Sequence, residues 1–168
     1  MSTRSLATPQ PARDPTEASF RAFVRAWGAF RGVMETYFAE FGLSGGQWGI
    51  LRSLHEAERN GESSLRQNDL AERLLVRPPS ITSVVNRLER LGFVARRRAS
   101  SDRRAKQVSL TPKGRGLAKR VLRHHPAQMR TVLGAFSPPE IESLRDLMER
   151  MAEHLFDRDR VRARTREE

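Results

Sequence analysis

Apolar residues recur at spacings of three and four from Phe20 to Phe41, through Phe23, Val24, Trp27, Phe30, Met34 and Phe38, which predicts one broad stripe along a long first helix. Asp14-Pro15-Thr16-Glu17 supplies a capping side chain, a first-turn proline and an acidic residue in the order that starts a helix, and Gly42 stops it. Ser44-Gly45-Gly46-Gln47 carries the serine and glutamine of a capping box and opens a second helix through Trp48, Ile50, Leu51 and Leu54, ending near Gly61. A third, short helix is predicted over residues 66–75. A tight connection leads to a fourth that begins near Pro78, turns Ile81, Val84, Val85, Leu88 and Leu91 to one side, and ends at Gly92.

The period then changes. Residues 93–98 and 106–110 read as two short strands with Val94, Val108 and Leu110 facing inward, joined by the polar turn Ala99-Ser100-Ser101-Asp102-Arg103. Thr111-Pro112 restarts a helix, and Leu117, Val121, Leu122, Met129, Val132 and Leu133 keep its period across a stretch expected to bend or break near Pro126. Ser137-Pro138-Pro139-Glu140 is a second capping box, introducing a last helix with Ile141, Leu144, Leu147, Met148, Met151 and Leu155. From Asp157 onward the chain is almost all charge and is expected to fray. The prediction is a mainly α protein with a small β wing: helix, turn, helix, then a hairpin, between longer helices.

Composition narrows the chemistry. The 168 residues suit one domain with helical extensions. With 38% hydrophobic residues, no apolar run approaches the roughly 18 that would suggest a membrane span. The first residues lack the apolar core of an export signal, so the expected location is the cytoplasm, with no membrane partner. The absence of cysteine excludes disulfides, thiolate nucleophiles and thiol-based redox sensing. His55, His124, His125 and His154 form no HExxH spacing and sit beside no carboxylate cluster, so neither a metal nor a cofactor is expected.

Charge changes the picture most. The chain carries a net charge of +11, and the segment 77–116 holds eleven basic residues against Glu89 and Asp102, which leaves only +2 for all the rest. Charge focused in this way is what a surface needs to neutralise phosphates and gain from counterion release. Short polar residues at the start of a second helix can approach base edges in the major groove, which points to Ser80, Thr82 and Ser83; Asn86, Arg87 and Arg90 lie further along, better placed for phosphates, and Arg77 is a further DNA-binding candidate. On the hairpin, Arg96, Arg97, Arg98, Arg103, Arg104 and Lys106 crowd a short ribbon, and an arginine at its tip can enter an electronegative minor groove. Asp102 reads as the internal counter-charge that orients one of these arginines. An enzyme is the competing class. It finds no metal-binding constellation, no Ser-His-Asp arrangement and no phosphate-cradling glycine loop, so the chain is read as not an enzyme.

The run QNDLAERL, then PPSITSVVNRLERLGFVARR, then SDRRAKQVSLTPKG resembles the MarR family of multiple-antibiotic-resistance regulators. Asp102-x-Arg104 with Leu110-Thr111-Pro112-Lys113-Gly114 is the most specific part of that likeness. The resemblance implies a winged helix-turn-helix with a helical dimerisation region, Arg104 in the minor groove, Asp102 holding the wing arginines, and a homodimer on a pseudo-palindromic operator of double-stranded DNA. It implies a sequence-specific transcription regulator, in the commoner case a repressor released by a small aromatic or phenolic effector. Trp27, Phe30, Trp48 and His55 are the candidates to line an effector pocket, although large aromatics at helical spacing are also ordinary core. The alternative is a nonspecific or architectural DNA-binding protein. The expected organisation is a disordered arm over 1–14, a dimerisation helix over 15–43, the DNA-binding domain over 44–111, dimerisation helices over 112–156 and a charged tail over 157–168.

Overall fold

The computed structural model describes residues 14–76, 78–98 and 106–164. The expected N-terminal arm, apart from Asp14, lies outside them, as does the turn at the tip of the hairpin. The elements run α1 (Pro15–Ala39), α2 (Gly45–Arg59), β1 (Leu65–Arg66), α3 (Gln67–Leu74), α4 (Pro78–Arg90), β2 (Val94–Arg98), β3 (Lys106–Leu110), α5 (Pro112–Val132) and α6 (Pro138–Arg164). They fall into two compact units, one ending at Val121 and one beginning at Leu122, with α5 running from the first into the second.

The helix starts follow the predicted caps. Asp14 accepts a hydrogen bond from the Thr16 amide at 2.9 Å. Both halves of the Ser44–Gln47 box are made, at 2.8 and 3.3 Å. The Glu35 carboxylate adds a second brace, accepting from the Gly45 amide with both oxygens at 3.1 Å, so α1 itself caps α2. At α6 the Ser137 amide and hydroxyl both donate to Glu140. That carboxyl is held below its ordinary range, first by the hydroxyl and then by the amide.

In the first unit the core lies where α2, α3, α4 and the sheet meet. Ile50, Leu51, Leu54, Leu70, Ile81, Val85, Leu88 and Val108 are fully buried, each worth about 1.5–3 kcal/mol of burial. The sheet is antiparallel in the order β1-β3-β2, with Val94 opposite Leu110, Arg96 opposite Val108 and Arg98 opposite Lys106. The inward candidates Val94, Val108 and Leu110 are all buried.

Three expectations are corrected. A third strand exists: Leu65 and Arg66 pair with Val108 and Gln107, and Arg66, expected inside the third helix, precedes it and offers its amide to Asp69. Two residues are too few for a period to show, and the strand exists because β3 is there to pair with. Secondly, of the bend or break expected near Pro126 the break does not occur, and α5 continues through that residue as one helix. One missing donor and its clash cost about 3 kcal/mol, which the hydrogen-bonded turns on both sides offset. Thirdly, α6 runs on to Arg164, well into the charged tail, because an established helix adds a hydrogen bond for each residue it fixes.

The turn between α3 and α4 contains a strained residue. Leu75 caps α3 with φ 55° and ψ 39°, the left-handed conformation usually given to glycine, and its side chain is 66% exposed. Leu75→Gly is therefore expected to stabilise the protein by about 1 kcal/mol, raising the melting temperature by about 2–4 °C. A lower melting temperature would show that the side chain contributes more than its backbone strain costs.

Candidate nucleic-acid interface

Amphipathic α4 is the base of the site. Ile81, Val85 and Leu88 are buried and Val84 half-buried, so Ser80, Thr82, Ser83, Asn86, Arg87 and Arg90 are left exposed on the other side. With Pro78 and Pro79 as its first two residues the helix offers no backbone donor there, and Ser80 carries its first free amide. Ser80, Ser83 and Arg87 lie at i, i+3 and i+7 on one stripe. Arg87 and Arg90 have no acidic partner among the described residues, so their charge is available to an anion.

The hairpin rises beside this face. Arg98 and Lys106 are partners at the last pair of the described ladder, so the backbone places both toward its open end. Arg77, Asp102, Arg103 and Arg104 lie outside the described residues. Arg96 does not follow the expectation of a solvent-facing wing arginine. Its side chain is only 19% exposed and lies against α4, with Nη1 3.3 Å from Glu89 Oε2 and Nη2 donating to the Thr82 carbonyl at 3.4 Å.

The segment Leu110-Thr111-Pro112-Lys113-Gly114 proves to be the joint that fixes hairpin and α4 to α5. The Thr111 hydroxyl donates to the Gly92 carbonyl at 2.7 Å and accepts from the Gly114 amide at 3.0 Å, so one side chain caps α5 and holds the end of α4. Lys113 Nζ donates to the Leu91 carbonyl at 2.9 Å and lies 4.9 Å from the centre of the Phe93 ring, a cation placed at the negative end of α4. Gly114 passes so close to Phe93 that a Cβ there would fall 1.9 Å from its carbonyl oxygen. Gly92, with φ 74°, makes the turn out of α4. Lys113 and Gly114 take roles here that residue type alone does not assign; a lysine and a glycine just after a Thr-Pro helix start are the available signal.

Arg115, counted in the basic segment, is already neutralised. It makes a two-pronged pair with Glu58 at 2.7 and 2.8 Å, and this hydrogen bonding holds the Glu58 carboxyl below its ordinary range. A depressed folded-state carboxyl stabilises the protein above its unfolded pKa, and that contribution is lost as the pH falls through the folded value. The pair borders a cavity of about 520 Å³ between the end of α2 and β3, lined also by Ser64, Gln107 and Ser109.

The four effector-pocket candidates do not line that cavity. Trp48 is buried in the core with its ring 5.8 Å from Phe38. Trp27 and Phe30 stack at 5.7 Å on α1, Trp27 being 54% exposed. His55 is half-buried on α2, and its Nδ1 has no hydrogen-bond partner among the described residues. No group of three or more His, Asp or Glu among the described residues is placed to hold a metal ion, and no helix among them is long and apolar enough to cross a membrane.

Known proteins share both the sequence and the arrangement. A sequence profile described as MarR family matches residues 41–105, which take in α2, β1, α3, α4 and β2. The HTH-type transcriptional repressor YetL of Bacillus subtilis is 35% identical over 124 residues, covering 71% of this chain and 72% of that protein. The homoprotocatechuate degradative operon repressor of Escherichia coli is 30% identical, covering 80% and 84%. The crystal structure of AbsC, a MarR family transcriptional regulator from Streptomyces coelicolor, superposes with a TM-score of 0.77 at 25% identity, over 87% of this chain and 97% of that one. Sequence, element order and three-dimensional arrangement agree, and the chain belongs to the MarR family of winged-helix transcriptional regulators.

Proposed function

We propose that this protein is a homodimeric repressor that binds double-stranded DNA at a pseudo-palindromic operator, with α4 in the major groove and the hairpin in the adjacent minor groove. The observation that carries the reading is the exposed polar stripe of α4, with Ser80, Ser83 and Arg87 at helical spacing, standing beside a strongly basic hairpin. In this arrangement Ser80, Thr82, Ser83 and Asn86 meet bases or nearby phosphates. Arg77, Arg87, Arg98, Arg103 and Lys106 neutralise phosphates, Arg104 enters the minor groove, and Asp102 orients it. Repression is supported by the two relatives named as repressors. The protein acts as a DNA-binding regulator in the cytoplasm and not as an enzyme.

The dimer is supported by apolar surface that each unit leaves open. Phe20, Phe23, Val24 and Trp27 are exposed on α1 in the first unit, and Leu147, Met148, Met151 and Leu155 on α6 in the second. Burial of such surface against a second copy is the ordinary way a two-fold regulator matches a two-fold site. A small aromatic effector fits the stacked pair of exposed Trp27 and half-buried Phe30 best among the candidates.

Selection of random duplex DNA by the purified protein at physiological salt tests the proposal. An enriched inverted repeat with half-sites about one helical turn apart is expected. Arg104→Ala should then weaken binding to that repeat at least about tenfold with the melting temperature unchanged. Retention without an enriched motif, with affinity collapsing as salt rises, would instead mark a nonspecific or architectural DNA-binding protein.

A further inference from the structure

We infer that Arg96 is a positioning residue that fastens the wing to the recognition helix, and that it does not itself contact DNA. The inference deepens the DNA-binding reading and rests on it. Strand alternation is the starting point. Arg96 shares a strand face with buried Val94 and lies opposite Val108, itself fully buried, so the ladder turns this arginine toward the core side of the ribbon. There it meets α4 at two points two turns apart, the Thr82 carbonyl and the Glu89 carboxylate. Glu89 completes the clasp, because its other oxygen accepts from the Arg96 amide at 3.3 Å while Oε2 faces the guanidinium. One carboxylate thus holds both the backbone and the side chain of a single wing residue.

Nε of Arg96 is sealed from solvent, so that edge of the guanidinium is closed to a phosphate. The grip also falls at a sensitive place. Thr82 lies within the turn that Ser80 and Ser83 span, and the angle between α4 and the hairpin decides whether major and minor groove can be engaged together. A joint made by charge-assisted hydrogen bonds fixes that angle where buried apolar contacts at the base of the hairpin do not reach.

Two variants give opposite answers under the two roles of Arg96. They are assayed on a duplex carrying the enriched repeat and on a scrambled duplex of equal length, across a range of salt. If Arg96 is a positioning residue, the near-isosteric Glu89→Gln should weaken selective binding about tenfold although it removes a negative charge near DNA. Arg96→Ala should weaken it similarly with no change in the slope of log K against log salt, and the double variant should bind no worse than Arg96→Ala. Circular dichroism and the melting temperature separate a loss of selectivity from a loss of fold. The inference is overturned if Glu89→Gln binds as tightly as the parent or tighter while Arg96→Ala lowers the salt slope by about one, which is the behaviour of a phosphate ligand. It is equally overturned if the two losses add. A parent protein that fails to discriminate the two duplexes would overturn the DNA-reading proposal itself, and this one with it.

Discussion

Gly114→Ala is expected to destabilise the winged unit by about 3 kcal/mol or more, the upper range for forcing an extra methyl into a packed site. The added Cβ would sit 1.9 Å from the Phe93 carbonyl oxygen, and the obstacle is backbone at both ends, so no side chain can rotate out of the way. Relief requires the start of α5 to move away from the Gly92–Phe93 turn. That movement breaks the Thr111 hydroxyl bridge to the Gly92 carbonyl and draws Lys113 off the end of α4. The loss is therefore larger than a steric term alone, since capping of two helices depends on the same approach. Gly116 supplies the control, because it lies on the same helix and a Cβ there meets nothing within 4 Å. Gly116→Ala should be neutral or stabilising by up to about 1 kcal/mol, as expected for glycine replaced in a helix interior. Urea unfolding of the two variants checks the pair, and equal midpoints would show that the close approach at Gly114 is not what excludes a side chain.

A double substitution on α6, Leu147→Glu with Met151→Glu, is expected to give a folded monomer that no longer binds an inverted repeat cooperatively. The two side chains lie at i and i+4 on one exposed face, so carboxylates there are harmless to the single chain. In a two-fold dimer each substitution counts twice. Loss of four apolar side chains at about 1.5 kcal/mol each removes on the order of 6 kcal/mol before any charge burial is added, a weakening of more than a thousandfold. Light scattering after size exclusion reads the change directly. Unchanged circular dichroism with a halved mass supports the proposal, and a dimer that persists at micromolar concentration would place the subunit interface elsewhere.

Much of this architecture was legible in the residues because it is made by local rules. Asp14, Ser44 and Ser137 stand where a side chain must replace missing backbone partners, so each helix start was visible from three or four residues. The alternation that buries Val94, Val108 and Leu110 and the stripe that buries Ile81, Val85 and Leu88 likewise depend only on the period of their own element. Pro126 does not end α5, because the tendency of a proline to break a helix is strongest in isolation, whereas α5 carries several turns on either side of it. Leu65 and Arg66 were missed because a two-residue strand has no period and exists only through its partner.

The candidate site divides in the same way. Charge content and spacing marked α4 and the hairpin as the surface for a polyanion, but an arginine reads identically whether it faces a phosphate or a carboxylate. Arg96 and Arg115 proved to be bound to Glu89 and Glu58, whereas Arg87 and Arg90 have no acidic partner among the described residues. Trp27 and Trp48 both stood on apolar stripes, yet one is exposed and the other buried.

Residue pattern alone was enough for the order and type of every element except β1, for the polar and apolar faces of α4 and for the concentration of positive charge beside it, since periodicity, capping and net charge are properties of neighbouring residues. Tertiary structure alone decided which half of the α1 stripe is core, which arginines are already paired, and why Gly114 has no room for a side chain. Those outcomes depend on which distant segment lies across from each residue, from Phe93 over Gly114 to Glu89 beside Arg96, and no local period encodes what stands on the other side.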